Sequence, residues 1–150
     1  MGWEWVEGDT DVPYLTLRTS FREVLLKERL AAAMRKINPG PSGQPWLDGA
    51  RINRAINELE RLGEYRLMEA NQAATQMLLQ GTVAEGLPEW DRGRLQPIKF
   101  IDFDNWQNND FLLINQFKVE LSSGRGHVIP DAVLFVNGIP IVVAEFKSPA

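Results

Sequence analysis

Residues 128–150 read VIPDAVLFVNGIPIVVAEFKSPA. Two apolar runs flank Asn137-Gly138, and Asn-Gly between β-rich runs is the strongest short-range signal of a hairpin. The first run opens with Pro130-Asp131; the second closes with Glu145-Phe146-Lys147. Their nearly continuous apolar character predicts a hairpin covered on both faces and central in its sheet. A lone carboxylate or ammonium is costly there unless it is compensated.

Register decides whether the polar residues meet. Strand side chains alternate, so Glu145 and Lys147 project from one face. A two-residue Asn137-Gly138 turn pairs Val136 with Ile139 and sets Asp131 opposite Ala144, facing away from Glu145. One extra residue in the hairpin reverses this. The sequence therefore predicts a three-residue loop, Val136-Asn137-Gly138, or an equivalent bulge elsewhere in the hairpin. Asp131 then shares a face with Val143, Glu145 and Lys147. Two adjacent carboxylates repel, and a hard divalent cation resolves the repulsion. Mg²⁺ takes few carboxylates and keeps water and phosphate oxygens. A lysine beside it would hold the attacking water and stabilise charge. The plain alternative is a structural ion pair at the mouth of a sheet.

Upstream, "PIKFIDFD" (residues 97–104) and "NQFKVEL" (residues 115–121) alternate like strands, the latter with Phe117, Val119 and Leu121 on one side. The polar "NWQNND" reads as a turn between them, and "SSGRGH" as a Gly-rich turn. Before them the period is helical. Ser20 and Glu23 form a capping-box pattern ahead of Val24, Leu25, Leu30, Ala31 and Met34, and Asn38-Pro39-Gly40 stops the run. A second helix is predicted over residues 48–62, with Ile52, Ile56, Leu59 and Leu62 on one face and Gly63 as its stop. A third is predicted over residues 64–79, ending at Gly81, with Leu67, Ala70, Ala74, Met77 and Leu78 inward. The expected class is α+β, sandwich-like: helices over residues 1–80, then a mainly antiparallel sheet over 81–150, in a single domain.

A chain of 150 residues is long enough for one such core. It has no cysteine, which excludes a disulfide framework and thiolate zinc. The N-terminus lacks a basic, then apolar, secretory pattern, and no apolar run spans a membrane, so the expected location is cytoplasmic. The net charge of −4 weighs against a free-standing nonspecific nucleic-acid binder. No GxxxxGK[ST] phosphate loop is present.

The hairpin with its "PD" and "EFK" closely resembles the PD-(D/E)xK nuclease signature as it occurs near the N-terminus of type I restriction enzyme R (HsdR) subunits. "FIDFDNWQNNDFLLINQFKVE" and "EANQAATQMLLQGTV" are similar to the segments that precede it there. The resemblance spans residues 51–150 and is sharpest over 130–149. It implies a partial PD-(D/E)xK restriction-endonuclease-like fold and an N-terminal fragment of a larger protein. It implies Asp131, Glu145 and the Phe146 backbone carbonyl as ligands of Mg²⁺, and Lys147 as the catalytic lysine. The implied substrate is double-stranded DNA. The implied partners are modification (M) and specificity (S) subunits, with ATP used by motor domains elsewhere in the parent. Two departures stand out: His127-Val128-Ile129 replaces the usual Arg before Pro-Asp, and the helix that follows the signature in the family lies past residue 150. The alternatives are a noncatalytic docking or DNA-binding module of the same complex, and a repair or recombination nuclease of the same superfamily.

Other residues are weighed against plainer roles. Glu69 is the favoured helix-borne acid for a further metal contact, ahead of Glu58 and Glu60; a solvated helix face is the alternative for each. His127 and Arg125 in the Gly-rich turn, and Asn115-Gln116, are candidate DNA contacts. Arg51, Arg54 and Arg61 would form a basic stripe on the second helix or pair with neighbouring acids. The tryptophans at 3, 5, 46, 90 and 106 read as packing anchors.

Overall fold

The computed structural model describes residues 2–64 and 66–149. The chain runs β1 (Glu4–Glu7), α1 (Lys27–Ile37), α2 (Gly49–Arg61), α3 (Leu67–Gln80), β2 (Thr82–Glu85) and α4 (Pro88–Asp91). It continues through β3 (Leu95–Ile98), β4 (Phe111–Asn115), β5 (Val119–Glu120), β6 (His127–Val128), β7 (Ala132–Val136) and β8 (Ile139–Ala144). The fold is α+β, with all strand pairs antiparallel except β1 with β4. The chain forms two compact units, Met1–Leu30 with Asp110–Ala150, and Ala31–Asn109. This grouping differs from a linear division at residue 80, because β1 pairs with β4 and draws the N-terminal segment to the second half.

The first unit is built on a four-stranded sheet in the order β1-β4-β7-β8. Leu112 and Ile114 of β4 and Val133 and Phe135 of β7 share one face, and with Leu26 and Phe117 they form the core. The Phe117 and Phe135 rings meet edge-on at 5.1 Å. Arg18 ties the N-terminal segment to this core. It is 2% exposed, lies 3.8 Å from the Phe117 ring centroid, and donates to the carbonyls of Glu23 and Lys118. Burial pushes its guanidinium down to about 10.

Three expectations are corrected in this unit. Among the described residues the hairpin is not central: β8 is an edge, and Ile141, Val142 and Val143 are exposed, Val143 by 63%. Pro140 carries the reason, since it has no N–H for a ladder and belongs on edges or at bulges. "NQFKVEL" is not one strand. Gln116 adopts a left-handed conformation (φ 49°), so β4 ends at Asn115 and only Val119–Glu120 resumes pairing. Helix α1 starts at Lys27 and not after Ser20. The Glu23 carboxylate instead accepts from Thr19 N–H and Oγ1, both at 2.9 Å, and closes a local turn. The Leu26 N–H goes to the Gly138 carbonyl (2.9 Å), and the Leu26 carbonyl takes the first helical bond, from Leu30. β1 itself is unanticipated: its Trp and Glu residues are largely exposed and carry no apolar period.

In the second unit α2 follows expectation. Asp48 caps it by accepting from Arg51 N–H at 2.9 Å, and Ile52, Ala55 and Ile56 are buried. Gly63 does not stop it with a left-handed residue; the chain passes into a single 3-10 turn, Leu62–Glu64. The third helix begins at Leu67 and ends as expected at Gly81 (φ 75°), while its expected start runs over Tyr65, outside the described residues. None of its residues is buried, and Leu67 is exposed. "PIKFIDFD" keeps its period, with Ile98, Phe100 and Asp102 all buried, yet the strand stops at Ile98. The Asp102 carboxylate accepts the N–H groups of Asp104 (3.1 Å) and Asn105 (3.0 Å), a local turn that competes with a ladder.

Candidate active site

The Asn137-Gly138 turn has two residues, both with positive φ (54° and 77°), as a type I′ hairpin turn requires. Of the two routes open to the sequence, the extra residue is therefore a bulge. Leu134 pairs with Val142 but Phe135 pairs with Pro140, leaving Ile141 as the additional residue. Beyond it Ala132 pairs with Ala144, the last pair of the ladder at this end, and counting one step outward brings Asp131 level with Glu145, just past β8. A Pro in one arm of a hairpin is the signal that locates the bulge.

Asp131 is half-buried at the head of β7 and held on two sides. Its carbonyl accepts from Gln116 N–H at 3.1 Å, and its Oδ2 accepts from Phe146 N–H at 2.6 Å. Glu145, Phe146 and Lys147 follow the last residue of β8 and are exposed. Among the described residues neither Glu145 nor Lys147 is consumed by an ion pair. The donor set is spare: no group of three or more His, Asp or Glu residues is gathered to hold a metal among the described residues. Two carboxylates at the open end of the hairpin would suit a hard cation that keeps most of its shell as water or phosphate oxygen, and do not fit an all-protein cage.

The remaining candidates separate by place. Glu69 stands in the first turn of α3, in the other compact unit, where an acid complements the helix dipole. Glu58 accepts from the Thr82 hydroxyl. Arg51 is committed to Asp48 (2.7 Å) and to the carbonyls of Glu85 and Gly86, whereas Arg54 and Arg61 are exposed on α2. Asn115 is satisfied by the backbone, its Oδ1 accepting from Gly8 N–H at 3.2 Å. Gln116 reaches Asp131 through its main chain, not its amide. His127 pairs with Glu120 across β5 and β6 and lines a polar cavity, and Arg125 lies exposed in the turn between those strands. Sequence reasoning passed over two residues of that cavity, Arg22 and Lys118. The signal for them is the glycine-rich turn with cations on the segments it approaches.

The described residues form an α+β fold in which Asp131 heads β7 and Glu145, Phe146 and Lys147 follow β8. The whole chain, residues 1–150, matches the family described as type I restriction enzyme R protein N terminus, and it belongs to that family. It is 32% identical over 150 residues to the "Putative type I restriction enzyme MjaIXP endonuclease subunit" of Methanocaldococcus jannaschii. It is 30% identical over 152 residues to the "Type I restriction enzyme HindI endonuclease subunit" of Haemophilus influenzae. Each match covers 99% of this chain and 14% of the relative, so the chain spans about a seventh of their length. No helix among the described residues is long and apolar enough to cross a membrane.

Proposed function

We propose that this chain is the nuclease-bearing region of a type I restriction R subunit, hydrolysing phosphodiester bonds of double-stranded DNA. One observation supports the reading: the bulge at Ile141 pairs Ala132 with Ala144, the register from which Asp131 counts level with Glu145, with Lys147 two residues on. The names of the relatives, endonuclease subunits of type I restriction enzymes, support it. In hydrolysis a P–O bond to water forms and a P–O ester bond breaks. Asp131 and Glu145 would hold Mg²⁺, which when bound neutralises phosphate charge and makes its water more acidic. The Phe146 N–H fixes the Asp131 carboxylate, so its second oxygen is presented in one orientation. The ammonium of Lys147 neutralises charge that grows on the phosphate and positions the attacking water. The Phe146 carbonyl remains a candidate for a further metal contact. Modification and specificity subunits would be the partners, and ATP would serve motor domains elsewhere in the parent.

The test uses the full-length parent. Asp131→Ala, Glu145→Ala and Lys147→Ala are each expected to abolish DNA cleavage while ATP hydrolysis persists. Loss of both activities together would assign these residues to folding instead. Calorimetric titration of the parent with Mn²⁺ should show a binding event that Glu145→Ala removes; its persistence in that variant would count against the proposed ligand set.

A further inference from the structure

Beside the β5–β6 turn lies an open cavity of about 210 Å³, lined by Arg22, Lys118, Glu120, Gly124, Gly126 and His127. We propose that it is a subsite for a backbone phosphate of the DNA, flanking the phosphate at Asp131 and Glu145. The inference rests on the proposed DNA substrate and adds where the duplex is held.

Three features carry it. First, the cavity gathers two permanent cations and an imidazole against one carboxylate, in a chain whose net charge is −4. Lys118 is fixed there: its Nζ donates to the Thr10 carbonyl at 2.8 Å and lies 4.7 Å from the Phe21 ring centroid. It is a preset point charge, while the guanidinium of Arg22 offers the fork that suits a phosphate. Second, the one competing acid is loosely held. Arg22 Nε is 3.8 Å from Glu120 Oε2, with both side chains well exposed, so their pairing contributes little. A phosphate oxygen can take the place of Glu120. Third, the floor is bare backbone. Gly124 and Gly126 both have positive φ (69° and 103°) and no side chain to keep a ligand away.

Position points to DNA. His127 is four residues before Asp131, a span of at most about 14 Å even fully extended. Along a duplex that is about four base steps, at roughly 3.4 Å each. A phosphate in this cavity therefore belongs to the same short stretch of duplex as one at the carboxylates.

The test is binding of a short duplex to the full-length parent in metal-free buffer without ATP, read by hydrogen–deuterium exchange and by the salt dependence of Kd. Gly124, Gly126 and His127 amides are expected to shift to slower exchange on adding duplex. Arg22→Gln should lower the slope of log Kd against log salt by about one, the loss of one phosphate contact. Glu120→Gln should tighten binding several-fold by freeing Arg22. An unchanged slope in folded Arg22→Gln, silent loop amides, or shifts caused by inorganic phosphate but not by duplex would each overturn the subsite. None of these readouts depends on hydrolysis, so cleavage data on Asp131 and Lys147 variants judge the proposed function separately.

Discussion

Asn137 shows how a single residue sets the distance between sequence and site. It is fully buried, with a left-handed backbone (φ 54°). Its Oδ1 accepts from Asp110 N–H at 2.7 Å, and its own N–H returns to the Asp110 carbonyl at 2.8 Å. Gly138 beside it has no room for a side chain: a Cβ would lie 2.5 Å from the Leu26 carbonyl oxygen. The turn is thus pinned to β4 on one side and to the start of α1 on the other, and it fixes the register from which Asp131 counts level with Glu145. Asn137→Gly keeps the backbone conformation but orphans the Asp110 N–H, at a cost of about 1–3 kcal/mol. Asn137→Ala adds left-handed strain of roughly 1–2 kcal/mol. Urea unfolding should rank wild type above Asn137→Gly above Asn137→Ala; equal stability of the two variants would mean the side chain matters only as a hydrogen bond. At this scale the motif was legible and so was the need for an extra residue, because side-chain period is a matter of counting. Its location was left open between a three-residue loop and a bulge; the structure sets it at Ile141, beside Pro140. The backbone contacts of Gln116 and Phe146 with Asp131 were not legible, since they join segments that only the folded sheet brings together.

Among the elements, local period was a guide to burial in α2 and over residues 98–102 but not in α3 or β8, and it was a poor guide to ladder pairing. Ile98, Phe100 and Asp102 alternate inward as a strand would, yet the segment after Ile98 is a loop because Asp102 gathers its own neighbours. Helix α2 was readable from its apolar stripe, whereas β1 was not, since its pairing with β4 is parallel and crosses most of the chain. The Asp102 loop has a measurable signature. Its carboxyl is held below the usual range first by the Asn108 amide, then by Asn105 N–H, Lys99 and Asp104 N–H. The folded state therefore binds this proton less readily than the unfolded chain, whose value is near the ordinary one of about 3.9. The stabilisation is fully present above that value and is lost as pH falls through the lower folded value. Asp102→Asn is expected to melt below wild type at neutral pH, with the gap closing below about pH 4. A gap in Tm that stays constant from neutral to acid pH would show that shape, not charge, sets the role of Asp102.

The molecule as a whole leaves one side of its four-stranded sheet thinly covered. Opposite the core face, Trp5 on β1 and Val142 on β8 are exposed, with Phe111, Leu113, Leu134 and Val136 half-buried between them. Trp3 leans on Phe111 at 5.0 Å between ring centroids. On the same sheet β8 presents an outer edge, with no strand beside it among the described residues. An apolar edge strand with free N–H and C=O groups is a template for another strand, and natural edges are protected by charge, above all by lysine. β8 carries no charged residue between Ile139 and Ala144. The net charge of −4 opposes close approach of two copies only weakly at ordinary salt. The isolated chain is therefore expected to self-associate as its concentration rises, more so at high salt. Val142→Lys places a cation on the edge at a position already 46% exposed, so the fold should survive the change. Light scattering should show the variant remaining monomeric at concentrations where wild type associates, with Tm within a few degrees of wild type. Association undiminished in a normally folded Val142→Lys would place the contact elsewhere than β8.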